Sequence, residues 1–282
     1  MAEPAKLAIR RDFPRPTASQ VKALKHAPTG WLVDALGRRG ALPHWIRLLS
    51  EKAKFIGTAL TVRTRPVDNL APYAALKFAK PGDVLVVAVD GSDTASVLGD
   101  ILLGMAKNAS IVAAVTDGTV RDIAGINAVG IPTFARALSP NSPFKDGPGE
   151  VGLPITLGGV RIEAGDIVAG DVDGVVVVPR ADASVIAKEF EAIADKEAKM
   201  EAAVASGAKY PAWLDDVLKQ STIRYVEWPP ASSTATRTLS IRRAFRCPAT
   251  RATSRRLTRR ARASSTPTFS IGMACVARCS CS

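Results

Sequence analysis

Val115-Thr-Asp-Gly-Thr-Val-Arg-Asp-Ile123 opens on apolar, strand-forming residues, breaks at an Asp-Gly turn, and then sets Arg121 directly beside Asp122. That order places the charged pair at the mouth of a β-to-α turn. There an arginine can grip a carboxylate with its fork while the aspartate binds a divalent cation. Twenty residues separate Arg121 from a further acid upstream, Asp100, in Leu98-Gly-Asp-Ile-Leu102. The combination points to chemistry on a small oxo acid.

Working outward, the segments around this stretch alternate in type. Thr29 to Leu36 has helical spacing, and Lys54–Arg63 mixes β-branched and small residues as a strand does. Pro81-Gly-Asp is a turn, and Val84–Val89 is a continuous apolar run, as expected of a strand covered on both faces. Ala95–Asn108 reads as a helix with one apolar stripe at 98, 101, 102 and 105. Ser110–Thr116 is a buried strand, Asp122–Val129 a short helix stopped by Gly130 and Pro132, and Thr133–Ala137 a strand. Strand, helix, strand, helix, strand implies right-handed crossovers and an α/β fold with a largely parallel sheet.

After Ser139 the pattern shifts to short strands, Pro154–Val160, Ile162–Ala169 and Gly174–Val178, separated by glycine turns. These read as a small β-rich half wrapped onto the first unit. Asp182–Ser206 is a long amphipathic helix whose apolar stripe (186, 190, 193, 200, 204) is interrupted by Glu197, and Trp213–Lys219 adds a turn or two. Three regions result: an arm over 1–20, a body over 21–228 and a tail over 229–282.

Charge divides along the same boundary. The chain of 282 residues carries +12 formally, but eleven arginines and no Asp, Glu or Lys stand between Pro229 and Ser282. The remaining 27 basic residues face 26 acidic ones, so the body is nearly neutral and its composition gives no reason to expect nucleic acid as a partner. The tail is aperiodic Arg, Ser, Thr, Ala and Pro, the composition of a disordered basic segment. An out-of-frame translation of GC-rich DNA would look the same, and an accessory tail is favoured over a nucleic-acid arm. All four cysteines lie in it, so the body has neither a disulfide framework nor a thiol nucleophile, and the terminal Cys-x3-Cys-x-Cys lacks the paired spacing of a zinc site. No apolar run reaches the roughly 20 residues of a spanning helix, and Met-Ala-Glu-Pro-Ala-Lys has no signal-like apolar core; a cytoplasmic protein is expected.

Absences narrow the chemistry. The two histidines, His26 and His44, both precede the first clear strand, which argues against a His-ligated zinc or a Ser-His-Asp triad. No phosphate-binding glycine motif is present. Oxygen-ligand chemistry remains. Each residue also has a plain structural explanation: Asp122 as a helix cap, worth about 1 kcal/mol; Arg121 in a surface ion pair; Asp100 on a solvated helix face. Arg121 fits its explanation least, because an arginine at a helix start opposes the dipole.

The Asp-x20-Arg-Asp spacing resembles that of the RraA-like family. So do Gly-Asp-Ile-Leu, Thr-Asp-Gly-Thr-Val-Arg-Asp, Gly-Ile-Pro-Thr-Phe-Ala-Arg-Ala-Leu-Ser-Pro and Gly-Asp-Ile-Val-Ala-Gly-Asp-Val-Asp-Gly-Val-Val-Val-Val-Pro, all within residues 20–215. The family includes class II 4-hydroxy-4-methyl-2-oxoglutarate aldolases with oxaloacetate decarboxylase activity, and the regulator of ribonuclease E activity. The resemblance implies a swivelling β/β/α domain with a mixed, largely parallel sheet, assembled as homotrimers or hexamers with sites between subunits. It implies that Asp122 binds a divalent metal (Mg²⁺ or Mn²⁺), that Arg121 holds the oxo-acid carboxylate, and that Asp100 positions the proton-donating water. The Gly99-Asp-Ile-Leu102 turn would complete the carboxylate pocket through the amides of Ile101 and Leu102. Glu197 is a candidate ligand from a neighbouring subunit; its alternative is an exposed charge. Many family aldolases carry an acid three residues after the aspartate, where this chain has Gly125, and that leaves the choice of substrate open. The rival implied by the same resemblance is a non-catalytic regulator that binds a ribonuclease. That branch is reported to lack the complete motif, which this chain retains.

Overall fold

The structure, a computed structural model, describes residues 5–226; the basic segment 229–282 lies outside the described residues. In chain order these form β1 (Leu7–Ile9), α1 (Ala18–Ala23), α2 (Thr29–Ala35), β2 (Arg47–Leu48), β3 (Phe55–Thr64) and α3 (Leu70–Ala75). Then come β4 (Asp83–Ala88), β5 (Ser96–Leu98), α4 (Asp100–Asn108), β6 (Ala113–Thr116), β7 (Thr119–Val120) and α5 (Ile123–Val129). The remaining strands are β8 (Thr133–Ala135), β9 (Ala137–Leu138), β10 (Gly149–Val151), β11 (Ile155–Leu157), β12 (Val160–Ile162), β13 (Ile167–Asp171) and β14 (Gly174–Val178). Helices α6 (Ala183–Ala205) and α7 (Leu214–Gln220) follow.

Nine strands build one mixed sheet in the order β1-β10-β3-β4-β6-β8-β2, with β13 also paired to β3, and β14 to β13. Its centre, β3-β4-β6-β8, is parallel. The apolar run of β4 is buried at every position, because both faces of the sheet are covered. One face packs Leu85, Val87 and Ala114 against Leu102, Leu103 and Ala106 of α4 and Ile126 of α5. The other packs Val84, Val86 and Val115 beneath Ile155, Leu157 and Ile162 of the β11–β12 hairpin. A third cluster joins α2 and the start of α6 to β13 and β14. Asp83 is a charged residue inside β4; Arg15 forms a two-point ion pair with it, which brings the N-terminal stretch onto the sheet.

Four differences from the sequence-based expectation follow from local chemistry. Ala95–Asn108 is not one helix: Ser96-Val-Leu98 is fully buried and extended, and the helix starts only at Asp100, after Gly99 in an extended conformation. Thr133–Ala137 is two strands, split where the Arg136 N–H leaves the large sheet to donate to the Gly118 carbonyl (2.9 Å). The late β-rich segment is no separate half, since β10 and β13 both pair antiparallel with β3. Leu7–Ile9, within the expected arm, pairs parallel with β10.

A second sheet, β5-β7-β9, is parallel throughout. Each of β4, β6 and β8 therefore passes at its C-terminal end into a short strand of this smaller sheet. Asp117 makes the corner: its buried carboxylate accepts the N–H groups of Val89 (2.8 Å) and Gly91 (2.8 Å). Burial pushes the Asp117 carboxyl above the usual carboxylate range, against the opposing effect of those N–H groups.

Removing this acceptor strands two backbone donors, so Asp117→Ala should lower unfolding free energy by about 2–4 kcal/mol in urea titration. The pH dependence has a defined sign. A carboxyl raised on folding binds more protons in the native state between its unfolded and folded values, so its contribution falls as pH rises through that window. The stability difference between wild type and Asp117→Asn should therefore shift against the wild type from pH 4 upward and then level off. A difference that moves the other way contradicts the assignment.

Candidate active site

The smaller sheet aligns three strand ends. Leu98 pairs with Val120, and Val120 with Leu138. Beyond the strands the ladder continues, with Arg121 N–H donating to the Leu98 carbonyl (3.1 Å) and Ser139 N–H to the Val120 carbonyl (3.0 Å). This register brings Arg121-Asp122 against Gly99-Asp100 although twenty residues intervene in the chain. A Cβ on Gly99 would stand 3.1 Å from Asp122 Oδ2 and 3.4 Å from Arg121 Cγ, so both side chains pass over that glycine.

Asp122 occupies the N-cap position of α5, yet its side chain caps nothing. Its backbone is left-handed (φ 59°, ψ 45°), a conformation costing roughly 1–2 kcal/mol for most residues and less for aspartate. The carboxylate instead lies 3.1 Å from Arg121 Nε. Arg121 Nη1 donates to Ser142 Oγ (2.5 Å). Both side chains of the pair stay about 40% exposed (38% and 44%), which leaves them open to a ligand and makes the pair worth little to stability. The capping explanation thus fails for Asp122, and Arg121 has the ion pair expected of it.

Asp100 begins α4 and does not interrupt a helical stripe. Its Oδ1 accepts the Ile101 N–H (2.7 Å), so one of the two amides expected to grip a substrate carboxylate is engaged within the turn. The Leu102 side chain is buried, whereas that of Ile101 is exposed. Gly125, where an acid was expected by resemblance, touches Asp100, and a Cβ there would lie 2.4 Å from Asp100 Oδ2.

Gly99, Asp100, Ile101, Leu102, Arg121 and Asp122 all line one small recess of about 70 Å³. Arg121 and Asp122 also face an adjoining depression of about 290 Å³, edged by Ile123, Leu138, Ser139 and Pro140. Several recess residues escaped the sequence reading, among them Asn69, Tyr73, Ser142 and Lys145. Asn69 is buried and its Oδ1 has no hydrogen-bond partner. None of the four has a sequence signal, because each reaches the recess only through the fold. Glu197, midway along α6, does not line the recess of its own chain.

Among the described residues no group of three or more His, Cys, Asp or Glu converges on a point. Two carboxylates bordering one recess nevertheless fit a hard, water-retaining cation such as Mg²⁺, which commonly takes one or two protein carboxylates and fills its other positions with water and substrate. A soft or tetrahedral metal does not fit this donor set.

Comparison with known proteins agrees with this architecture. Residues 29–177 match the family model described as RraA-like, Aldolase/RraA. A protein of Halalkalibacterium halodurans named "Putative 4-hydroxy-4-methyl-2-oxoglutarate aldolase" is 37% identical over 195 residues, covering 69% of this chain and 93% of that protein. The structure of a Streptomyces coelicolor protein, described as an unusual member of the RNase ES inhibitor RraA family, superposes with a TM-score of 0.59 at 29% identity, over 68% of this chain and all of that one (100%). The RNA-processing inhibitor RraA of Thermus thermophilis gives 0.51 at 31% identity, over 55% of this chain and 93% of its own. The chain belongs to the RraA-like family and shares its fold.

Because Asp122 caps nothing and is held left-handed, Asp122→Gly should leave unfolding free energy unchanged or raise it by up to about 1 kcal/mol, while removing the carboxylate. A loss above about 1.5 kcal/mol by chemical denaturation would show that Asp122 supports the fold, since truncation of a helix cap typically costs about that much or less.

Proposed function

We propose that this protein is a divalent-metal-dependent carbon–carbon lyase acting on a small 2-oxo acid, through aldol cleavage of the 4-hydroxy-4-methyl-2-oxoglutarate type, oxaloacetate decarboxylation, or both. The observation that carries this is the convergence of Asp100, Arg121 and Asp122 on one recess. The aldolase name of the 37%-identical relative supports it.

Asp122 would hold the cation, Mg²⁺ or Mn²⁺, which when bound supplies Lewis acidity toward the 2-oxo oxygen. Arg121 binds the substrate carboxylate through its fork and opposes the negative charge that develops as the carbon–carbon bond breaks. The amides of Ile101 and Leu102 complete the carboxylate pocket once Asp100 releases the first of them. The electron pair of the C3–C4 bond stays on C3, giving the pyruvate enolate and either CO₂ or, as the 4-hydroxyl proton passes to the water beside Asp100, a second carbonyl fragment. Asp100 orients the water that delivers a proton to C3, and pyruvate leaves.

Assembly into homotrimers or hexamers is part of the proposal. Only Ala183 and Ile186 of the 23-residue α6 are buried. Its distal half, with the segment leading to α7, frames an apolar groove of about 570 Å³ edged by Met200, Val204, Tyr210 and Trp213. A neighbouring copy would cover that groove and bring Glu197 toward a second recess. A cytoplasmic location is proposed with it; no described helix is long and apolar enough to cross a membrane. The second reading, a non-catalytic regulator that binds a ribonuclease, draws on the two solved relatives described as such inhibitors.

A pyruvate-coupled assay over oxaloacetate and 4-hydroxy-2-oxo acids, with and without chelator, separates the two. Lyase activity should be chelator-sensitive, and Arg121→Ala or Asp122→Ala should reduce it by at least about 100-fold without loss of fold. Undiminished turnover in both variants ends the assignment, and absence of pyruvate release across the panel favours the regulator. Val204→Asp should shift light-scattering mass toward the monomer.

A further inference from the structure

Gly125 is the third residue of α5, and nothing in its own backbone requires glycine: its φ lies outside the left-handed region. A glycine inside a helix costs about 1 kcal/mol relative to alanine, so its presence calls for a contact. That contact is Asp100. A Cβ on Gly125 would stand 2.4 Å from Asp100 Oδ2, 2.8 Å from its Cγ and 2.6 Å from its Cβ. Rotation could move the carboxylate aside, but the Asp100 Cβ is fixed to the backbone of α4. That backbone is itself anchored, with Leu103 N–H on the Gly99 carbonyl (3.0 Å) and Leu102 and Leu103 in the core. On the other side Ile126 is fully buried, and its N–H donates to the Asp122 carbonyl (2.9 Å). Any side chain at 125 must therefore push the first turns of α4 and α5 apart.

Those two first turns carry the site. Asp100 opens one, and Asp122 stands at the N-cap position of the other without capping it. We propose that Gly125 is a positioning residue: its missing side chain sets the spacing of the two helix starts and hence the placement of Asp100 relative to Arg121 and Asp122. The spacing rests on the contacts alone, and its consequence for turnover rests on the lyase reading above.

The test compares wild type, Gly125→Ala, Asp100→Gly and the double variant. Thermal midpoints are read for all four; kcat and KM for oxaloacetate, and deuterium exchange into the pyruvate methyl group by NMR with Mg²⁺ present, are read for wild type and Gly125→Ala. Gly125→Ala should lower the midpoint by roughly 5 °C although alanine favours helix, and the same substitution made in Asp100→Gly should have no cost or be stabilising. Turnover and exchange should fall on the order of 10- to 100-fold in Gly125→Ala with KM within about twofold, the signature of misplaced groups and not of lost binding. The proposal is overturned by an unchanged or raised midpoint in Gly125→Ala, by an equal penalty with and without the Asp100 side chain, or by unchanged turnover. If wild type neither releases pyruvate nor exchanges its methyl protons, the lyase reading fails and the positioning role with it, while the thermal coupling between 100 and 125 still decides the spacing.

Discussion

A single buried carboxylate governs how this chain passes from one sheet to the other. At the C-terminal edge of the large sheet the backbone must turn, and the N–H groups of Val89 and Gly91 leave the ladder that satisfied their neighbours. Asp117 takes both. An unpaired buried amide would cost about 1–3 kcal/mol, so the corner is held even though burial disfavours the charge on Asp117. With the corner fixed, β5, β7 and β9 run parallel as extensions of β4, β6 and β8, and their carboxyl ends lie side by side. In α/β sheets that end is where ligands bind, because loops from several strands converge there and helix starts supply outward-facing amides.

The groups gathered at this edge do little for stability. Asp122 accepts a left-handed backbone without making a capping bond. Arg121 spends its guanidinium on a half-exposed ion pair and on Ser142. Gly125 weakens its own helix. Each choice departs from what a helix start would take for its own sake, and the departures lie within a few residues of one recess. Backbone and side-chain choices that cost stability persist where the surroundings enforce them, and they cluster at functional sites.

Much of this was legible in the sequence, for physical reasons. The buried strands read clearly because continuous apolar runs have few other homes, and the Arg121–Asp122 pair stood out because an arginine at a helix start is unfavourable. The segment Ala95–Asn108 misled because Leu98, Ile101, Leu102 and Met105 satisfy a helical period, while Ser96-Val-Leu98 is extended through pairing with β7, a partner more than twenty residues away. Asn69, Tyr73, Ser142 and Lys145 were invisible for a related reason, since no local pattern reports which loops a sheet edge will gather. Gly125 was noticed as a missing acid. Its close approach to Asp100 arises only when the fold sets α4 beside α5.

Two carboxylates at one recess leave most positions around a hard cation to water and substrate, and α6 supplies a physical reason to ask whether a neighbouring copy adds another. The helix is anchored only at its start; its distal half carries an apolar stripe that its own body leaves uncovered, interrupted by Glu197. Burying that stripe against another copy would stabilise association by roughly 25 cal/mol for each Å² of apolar surface removed from water. The same contact would carry a third carboxylate into a neighbour's neighbourhood. Assembly and metal affinity would then be one equilibrium seen from two sides, since a cation that binds only the assembled site stabilises the assembly by mass action.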